Sequence, residues 1–135
     1  MPLMTWSDAL SVQVEEIDNQ HKRLVDLVNQ LHDAMVQGKG RDVMGKTLAG
    51  LIDYTRTHFA FEQELMARYN YPASLLHKTE HDDLTQKVVD LQSQYLAGKA
   101  ALSVEVMSFL KIWLATHIQK TDRQFGRFLN GKGMK

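Results

Sequence analysis

The sequence contains no cysteine and carries no formal net charge, because 16 Lys and Arg residues balance 16 Asp and Glu residues. The absence of cysteine excludes disulfides, thiolate metal ligands and iron–sulfur clusters. Without a basic or an acidic surplus, the composition indicates neither a nucleic-acid partner nor a polycationic one. A chain of 135 residues is long enough to bury the core of one domain.

Long apolar runs are also missing. No stretch approaches the roughly 20 apolar residues that span a bilayer, so we expect no insertion into a membrane. The N-terminal residues, M-P-L-M-T-W-S-D, lack the basic region and the apolar run of a signal peptide. The expectation is therefore a soluble, cytoplasmic protein.

Core-type residues recur at steps of three and four in four segments, which places them on one face of each helix. The third segment is an example, with His77, His81, Leu84, Val88, Leu91 and Tyr95. Glycine or proline separates the segments. We predict a single all-α domain over 1–135, an antiparallel up-down-up-down four-helix bundle. An N-terminal extended arm at about 1–13 precedes helices at about 17–37, 42–70, 74–97 and 103–130.

We call the row of core-type residues along each helix face its core stripe. Five of the six histidines lie in these stripes: His21, His58, His77, His81 and His117. A lone buried histidine is usually structural, but five in one core would leave many nitrogens unsatisfied without a metal. Glu62 follows His58 by four residues, as His81 follows His77, so each pair shares a helix face. The sequence therefore predicts a metal centre between the helices.

The sixth histidine, His32, does not fit this centre. It follows His21 by 11 residues, on nearly the same helix face but ~16 Å further along the axis. We therefore expect His32 to be a partly exposed or capping residue outside the cluster.

Asp122 follows His117 by five residues, which on a regular helix separates the side chains by about 140°. The stripe shifts at the same place, since Thr121 is polar where a core residue is expected and Phe125 continues the stripe one residue late. A π-type turn inserts one residue in this way, often at a functional site. We predict such a turn near 117–122, bringing Asp122 into the core.

Five imidazoles and two carboxylates exceed what one metal ion binds, so we expect two ions. If both carboxylates and a solvent-derived oxo or hydroxo group bridge the ions, the histidines divide three and two. One ion then keeps an open coordination position. Mixed imidazole and carboxylate ligation suits iron better than manganese or zinc.

Three pairs of candidate ligands stand out in the sequence: His58 with Glu62, His77 with His81, and His117 with Asp122. Together with the isolated His21, they resemble the signature of the hemerythrin family, and specifically of its single-domain bacterial members. The likeness covers nearly the whole chain. It implies two non-haem iron ions with an oxo or hydroxo bridge. It also implies that His77, His81 and His117 bind the closed iron, the one without an open coordination position. It implies that His21 and His58 bind the open iron and that Glu62 and Asp122 bridge the two.

The same resemblance implies an O2 pocket beside the open iron, lined by Leu24, Trp113, Leu114 and Ile118, and more weakly a site-lining role for Phe125. It implies reversible O2 binding for storage, transport or delivery, and leaves an oxygen-consuming recipient protein unidentified. The alternatives are a di-iron enzyme (oxidase, peroxidase or nitric oxide reductase) and an oxygen or redox sensor.

We do not expect an enzyme. Oxygen-activating di-iron enzymes in bundles use mainly glutamate ligands and paired E-x-x-H motifs, and this sequence contains no E-x-x-H. Neutral imidazoles supply less negative charge to stabilise high-valent iron. The predicted pocket also contains no general acid that would promote O–O cleavage.

Overall fold

The computed structural model describes residues 3–98 and 103–135, so the first two residues of the predicted arm lie outside it. Four long helices form the molecule, α1 (Glu15–Val36), α2 (Arg41–Arg68), α3 (Ser74–Leu96) and α4 (Val104–His117). A π-helical turn, Ile118–Asp122, joins α4 to α5 (Arg123–Gly131), so that these three elements make the fourth rod of the bundle. No strand occurs in the described ranges. The predicted all-α four-helix bundle is confirmed.

Short links with special backbone conformations follow α1 and α2. After α1, Gly38 adopts a φ of +65°, in the left-handed region that glycine occupies most easily. Asn70 takes a φ of +55° after α2, two residues before Pro72. α4 begins after Ser103, whose hydroxyl oxygen accepts a hydrogen bond from the Val106 N–H. Links this short direct consecutive helices in opposite directions.

The stripes read from the sequence form the core. On α1 the buried apolar residues include Ile17, Leu24, Val28 and Leu31. On α5, Phe125 and Leu129 are fully buried, and they continue the stripe one residue late, after the π-helical turn. Within the part of the chain that the structure describes, no helix combines the length and apolar character needed to cross a membrane.

The N-terminal segment, residues 3–13, is held against both the first and the last helix. The backbone of Met4 exchanges two hydrogen bonds of 2.8 Å with the Asn29 side-chain amide on α1. The Asn130 side chain on α5 donates to the Gln13 carbonyl at 2.9 Å. This segment therefore links α1 to the rod that carries the π-helical turn.

Candidate metal centre

All seven predicted ligand residues lie in one buried layer, and none exposes more than 3% of its surface. Their ligand atoms form two overlapping groups, each with all atoms within 4.8 Å of one another. One group is Glu62, His77, His81, His117 and Asp122, and the other is His21, His58, Glu62 and Asp122. The two carboxylates belong to both groups, while the histidines divide three and two. This geometry suits two adjacent metal ions that share two carboxylates.

The π-helical turn gives Asp122 its place in this layer. The turn covers Ile118–Asp122, as the displaced core stripe predicts, and that prediction is confirmed. Asp122 is 1% exposed and His117 is 3% exposed. A spacing of five residues therefore brings both side chains to the same layer, which a regular α-helix would not do.

Asp122 contacts imidazoles from three different helices. Its Oδ1 lies 2.8 Å from His77 Nε2 and 3.1 Å from His117 Nε2. Its Oδ2 lies 3.0 Å from His21 Nε2. The two oxygens of one carboxylate thus face different groups of histidines, as a bridging ligand does.

Glu62 occupies the complementary position on α2. Its Oε1 lies 3.2 Å from His81 Nε2, 3.4 Å from His58 Nε2 and 3.7 Å from His77 Nε2. His58 belongs to the group of two histidines, and the others belong to the group of three. Glu62 therefore also lies between the two groups.

Many polar atoms of the cluster are buried without hydrogen bonds, although the atoms lie close together. Among the described residues, they include both oxygens of Glu62 and Asp122 and the Nε2 atoms of His21, His77, His81 and His117. Each unsatisfied buried polar group costs about 1–3 kcal/mol. A cation between these atoms removes that cost, because imidazole and carboxylate lone pairs are its natural ligands. The residues present fit a pair of iron ions.

The two carboxylates also attract positive charge to the imidazoles. Burial lowers the pKa of His117, but Asp122 together with Glu80 and Glu62 outweighs this effect and raises that pKa to about 10. Burial opposes protonation of His77 as well, yet contact with Asp122 and Glu62 raises its pKa to about 9. For His58, burial dominates over Glu62 and lowers the pKa to about 4. The cluster favours cations over neutral occupants.

Two of the histidines have outer partners that sequence reasoning missed. The Nδ1 atom of His58 lies 2.6 Å from Gln20 Oε1. The Nδ1 atom of His117 lies 3.1 Å from Glu80 Oε1. Gln20 and Glu80 are half-buried polar residues beside the stripes, and their spacing does not distinguish them from other polar residues on a helix flank. No sequence signal would have found them.

A small apolar cavity of about 30 Å³ lies in the core of the bundle. Leu24, Trp113 and Leu114, three of the four predicted pocket residues, line it. Thr55 supplies a hydroxyl to its wall, but that hydroxyl donates to the Leu51 carbonyl at 2.7 Å. None of the described residues that line the cavity is a carboxylic acid, an amine or a histidine.

The cavity touches the metal-binding layer through two stacked aromatic pairs. Trp113 lies nearly parallel to His117, with ring centroids 4.5 Å apart and an interplanar angle of 16°. Phe59 stacks on His81 at 3.7 Å and 6°. Sequence reasoning missed Phe59 as a wall residue, although its position next to His58 was a usable signal. Two wall residues of the cavity thus contact histidines of the three-histidine group.

Ile118, the fourth predicted pocket residue, does not line this cavity. It is fully buried and opens the π-helical turn. Since it lies one turn beyond Leu114, it is placed at the level of His117 rather than at the level of the cavity. Phe125 is also fully buried and lies against the His77 ring, with centroids 5.6 Å apart.

His32 lies apart from the cluster, as predicted. Its side chain is 21% exposed, and its Nδ1 is 3.9 Å from Asp33 Oδ1. In the part of the chain that the structure describes, it belongs to neither group of candidate ligands.

Comparison with known proteins gives a consistent result. A family model described as the hemerythrin HHE cation binding domain matches residues 12–129. The bacteriohemerythrin of Methylococcus capsulatus is 40% identical over 131 residues, which are 96% of this chain and 99% of that protein. The bacteriohemerythrin of Pseudomonas aeruginosa is 38% identical over 122 residues, covering 90% of this chain and 78% of the relative.

Solved structures agree with these sequence relationships. A crystal structure of wild-type hemerythrin matches with a TM-score of 0.88 and 40% identity, covering 93% of this chain and 96% of that chain. A hemerythrin mutant matches with a TM-score of 0.90 and 39% identity, covering 94% and 97%. The family model, the relatives and the solved structures all cover the buried histidine and carboxylate layer, and this chain belongs to the hemerythrin family.

Proposed function

We propose that this chain binds O2 reversibly at a non-haem di-iron centre and serves in oxygen storage, transport or delivery. One observation carries the proposal: five imidazoles divide three and two around two shared carboxylates. Three imidazoles would hold one iron and two would hold the other, and both carboxylates would be shared. The smaller set of protein ligands would leave room for O2 at its iron.

The ligand assignment follows the two groups. We assign the closed iron to His77, His81 and His117, the open iron to His21 and His58, and both bridges to Glu62 and Asp122. The relatives named bacteriohemerythrin, which match this chain over most of its length, support a di-iron centre in this family. When bound, the iron pair supplies the electrons that hold O2 and takes them back on release.

The protein's own residues keep the site dry. Leu24, Trp113 and Leu114 supply an apolar wall, and apolar cavities of this kind exclude water. An anion leaving through such a wall would lose its hydration, so its escape is unfavourable. The wall also offers no general acid for O–O cleavage. For these reasons we propose a binding protein rather than an enzyme.

One experiment separates the carrier from an enzyme. Iron-loaded protein is reduced without air, exposed to O2 and purged with argon through several cycles. A visible absorption band that appears with O2 and disappears on purging, at two irons per chain, is the expected result. Irreversible bleaching with oxidation of an added substrate, or with steady consumption of peroxide, would overturn the proposal.

A further inference from the structure

Glu80 connects the two ends of the π-helical turn from outside the metal-binding layer. It lies on α3 between His77 and His81 in sequence, yet its Oε1 is 3.1 Å from His117 Nδ1. The Thr121 hydroxyl donates to Glu80, with distances of 2.8 and 3.0 Å to the two carboxylate oxygens. The carboxylate is therefore held by the turn that directly follows its imidazole partner in the chain. Its side chain remains 46% exposed, so no large burial cost opposes its charge.

The other proposed ligands have no comparable partner. Among the described residues, the Nδ1 atoms of His21, His77 and His81 are buried without a hydrogen-bond partner. The Nδ1 atom of His58 faces Gln20, which is a neutral amide. Within residues 3–98 and 103–135, His117 is the one imidazole of the five whose outer nitrogen faces an anion. The outer shell is therefore asymmetric between the two groups of ligands.

This asymmetry has a chemical consequence. An imidazole that donates its Nδ1–H to a carboxylate has a fixed tautomer and ring orientation, and its Nε2 becomes a stronger electron donor. His117 Nε2 points into the cluster, 3.1 Å from Asp122 Oδ1. A stronger donor at this position stabilises the more highly charged state of a metal that it binds. A neutral acceptor such as Gln20 orients His58 with a weaker electronic effect.

We propose that Glu80 is a positioning residue that fixes His117 and lowers the reduction potential of the metal centre from the side of the three histidines. The proposal rests on the ligand assignment of the proposed function. It separates two contributions of Glu80: the hydrogen-bond acceptor that orients the ring, and the negative charge that makes the ring a stronger donor.

Two variants separate these contributions. Glu80→Gln keeps a side-chain oxygen that accepts from His117 but removes the charge, and Glu80→Ala removes both. Asp83→Asn is the matched control, because Asp83 is an exposed acid on the same helix. Binding of Co2+ to metal-free protein, followed by visible absorption, measures positioning. The reduction potential of the iron-loaded protein, measured by spectroelectrochemistry, reports the charge.

We expect Glu80→Ala to weaken Co2+ binding by about 10- to 100-fold, the range for loss of an outer-shell partner. Glu80→Gln should recover part of that affinity, yet both variants should have a more positive potential than Asp83→Asn. Gln20→Glu, which adds a carboxylate beside His58, should shift the potential in the negative direction. A potential in Glu80→Gln equal to that in Asp83→Asn would overturn the proposal, as would undiminished Co2+ affinity in Glu80→Ala.

These results do not depend on O2. The wild-type protein could fail the oxygenation cycle while Glu80→Ala still weakens Co2+ binding and both Glu80 variants still shift the potential. That result would contradict only the proposed function. If the wild-type protein binds O2 reversibly and the Glu80 variants have the Co2+ affinity and reduction potential of the control, only the proposed role of Glu80 is contradicted.

Discussion

Gly126 lies so close to Val12 that a Cβ at this glycine would be 2.2 Å from the Val12 carbonyl oxygen. Val12 belongs to the N-terminal segment, and Gly126 lies on α5, four residues after Asp122. A side-chain carbon at this position would push a backbone oxygen, which cannot rotate away. The absence of a side chain at Gly126 therefore lets the segment pack against the rod that carries Asp122.

We expect Gly126→Ala to destabilise the protein by about 1–3 kcal/mol, the usual cost of overpacking a core contact. Alanine favours a helix over glycine by roughly 0.8–1 kcal/mol, so the steric cost must exceed this gain. The free energy of unfolding from urea titration measures the difference.

Gly50→Ala is the matched control for this prediction. Gly50 lies inside α2, and none of the described residues would come within 4 Å of its added Cβ. We expect this variant to gain roughly 0.5–1 kcal/mol from the lower conformational entropy of the unfolded chain. If the two variants were equally stable, the contact with Val12 would not restrict the side chain at position 126.

The sequence predicted those parts of the centre that follow a repeating pattern. Steps of three and four placed His58, Glu62, His77 and His81 on inward faces, because a ligand in a bundle must occupy a core position. The late recurrence of Phe125 also revealed the π-helical turn, since an inserted residue displaces every later core position. Periodicity is therefore informative where the backbone alone sets the direction of a side chain.

The parts that sequence reasoning missed depend on tertiary contacts. Glu80 and Gln20 reach histidines on other helices, so the register between two helices decides their partners. The contact between Gly126 and Val12 depends on the path of an arm without periodicity. None of these relationships repeats along the chain.

Replacement of a proposed ligand should remove iron and stability together. His77→Ala leaves Asp122 Oδ1 without one of its nitrogen neighbours and removes one donor from the three-histidine group. A metal at a free concentration of 1,000 times its dissociation constant stabilises a folded protein by about 4 kcal/mol. Weaker binding in the variant therefore removes much of this stabilisation. Iron content and melting temperature, with and without a chelator, measure both effects.

His32→Ala provides the comparison for that variant, because His32 lies outside both groups of candidate ligands. It should retain two irons per chain and the full stabilisation by metal. A His77→Ala protein that also retained two irons and that stabilisation would remove His77 from the ligand set.

Leu114→Tyr should change oxygen kinetics without loss of iron. Leu114 lines the cavity and contributes no ligand atom to the cluster. A tyrosine at this position reduces the volume of the apolar cavity and adds a hydroxyl to its wall. We therefore expect the rate of O2 release or of autoxidation to change several-fold. Stopped-flow release and the rate of oxidation in air measure these steps. Unchanged rates would exclude Leu114 from the oxygen pocket.

Leu27→Tyr separates this effect from general overpacking. Leu27 and Leu114 are both 7% exposed, but Leu27 does not line the cavity. We expect Leu27→Tyr to lose about 1–3 kcal/mol of stability, with the oxygen kinetics of the wild-type protein. If both variants changed the oxygen kinetics equally, the effect would be one of global packing.

The metal-free protein should be most stable near the ordinary histidine pKa of 6.5. The pKa values of His77 and His117 rise to about 9 and about 10 in the folded protein. Above pH 6.5 the folded state keeps protons that the unfolded state releases, so stability falls as the pH rises toward 10. The pKa of His58 is lowered to about 4, so stability also falls as the pH drops from 6.5 to 4.

Bound iron should abolish the alkaline part of this dependence, because metal ions replace the protons held between the imidazoles and the carboxylates. Urea midpoints of chelator-treated and iron-loaded protein, compared from about pH 5 to pH 9, measure the difference. We expect the two curves to diverge above pH 6.5, with the metal-free protein losing stability. Parallel curves over this range would mean that the imidazoles beside these carboxylates do not hold extra protons in the folded metal-free protein.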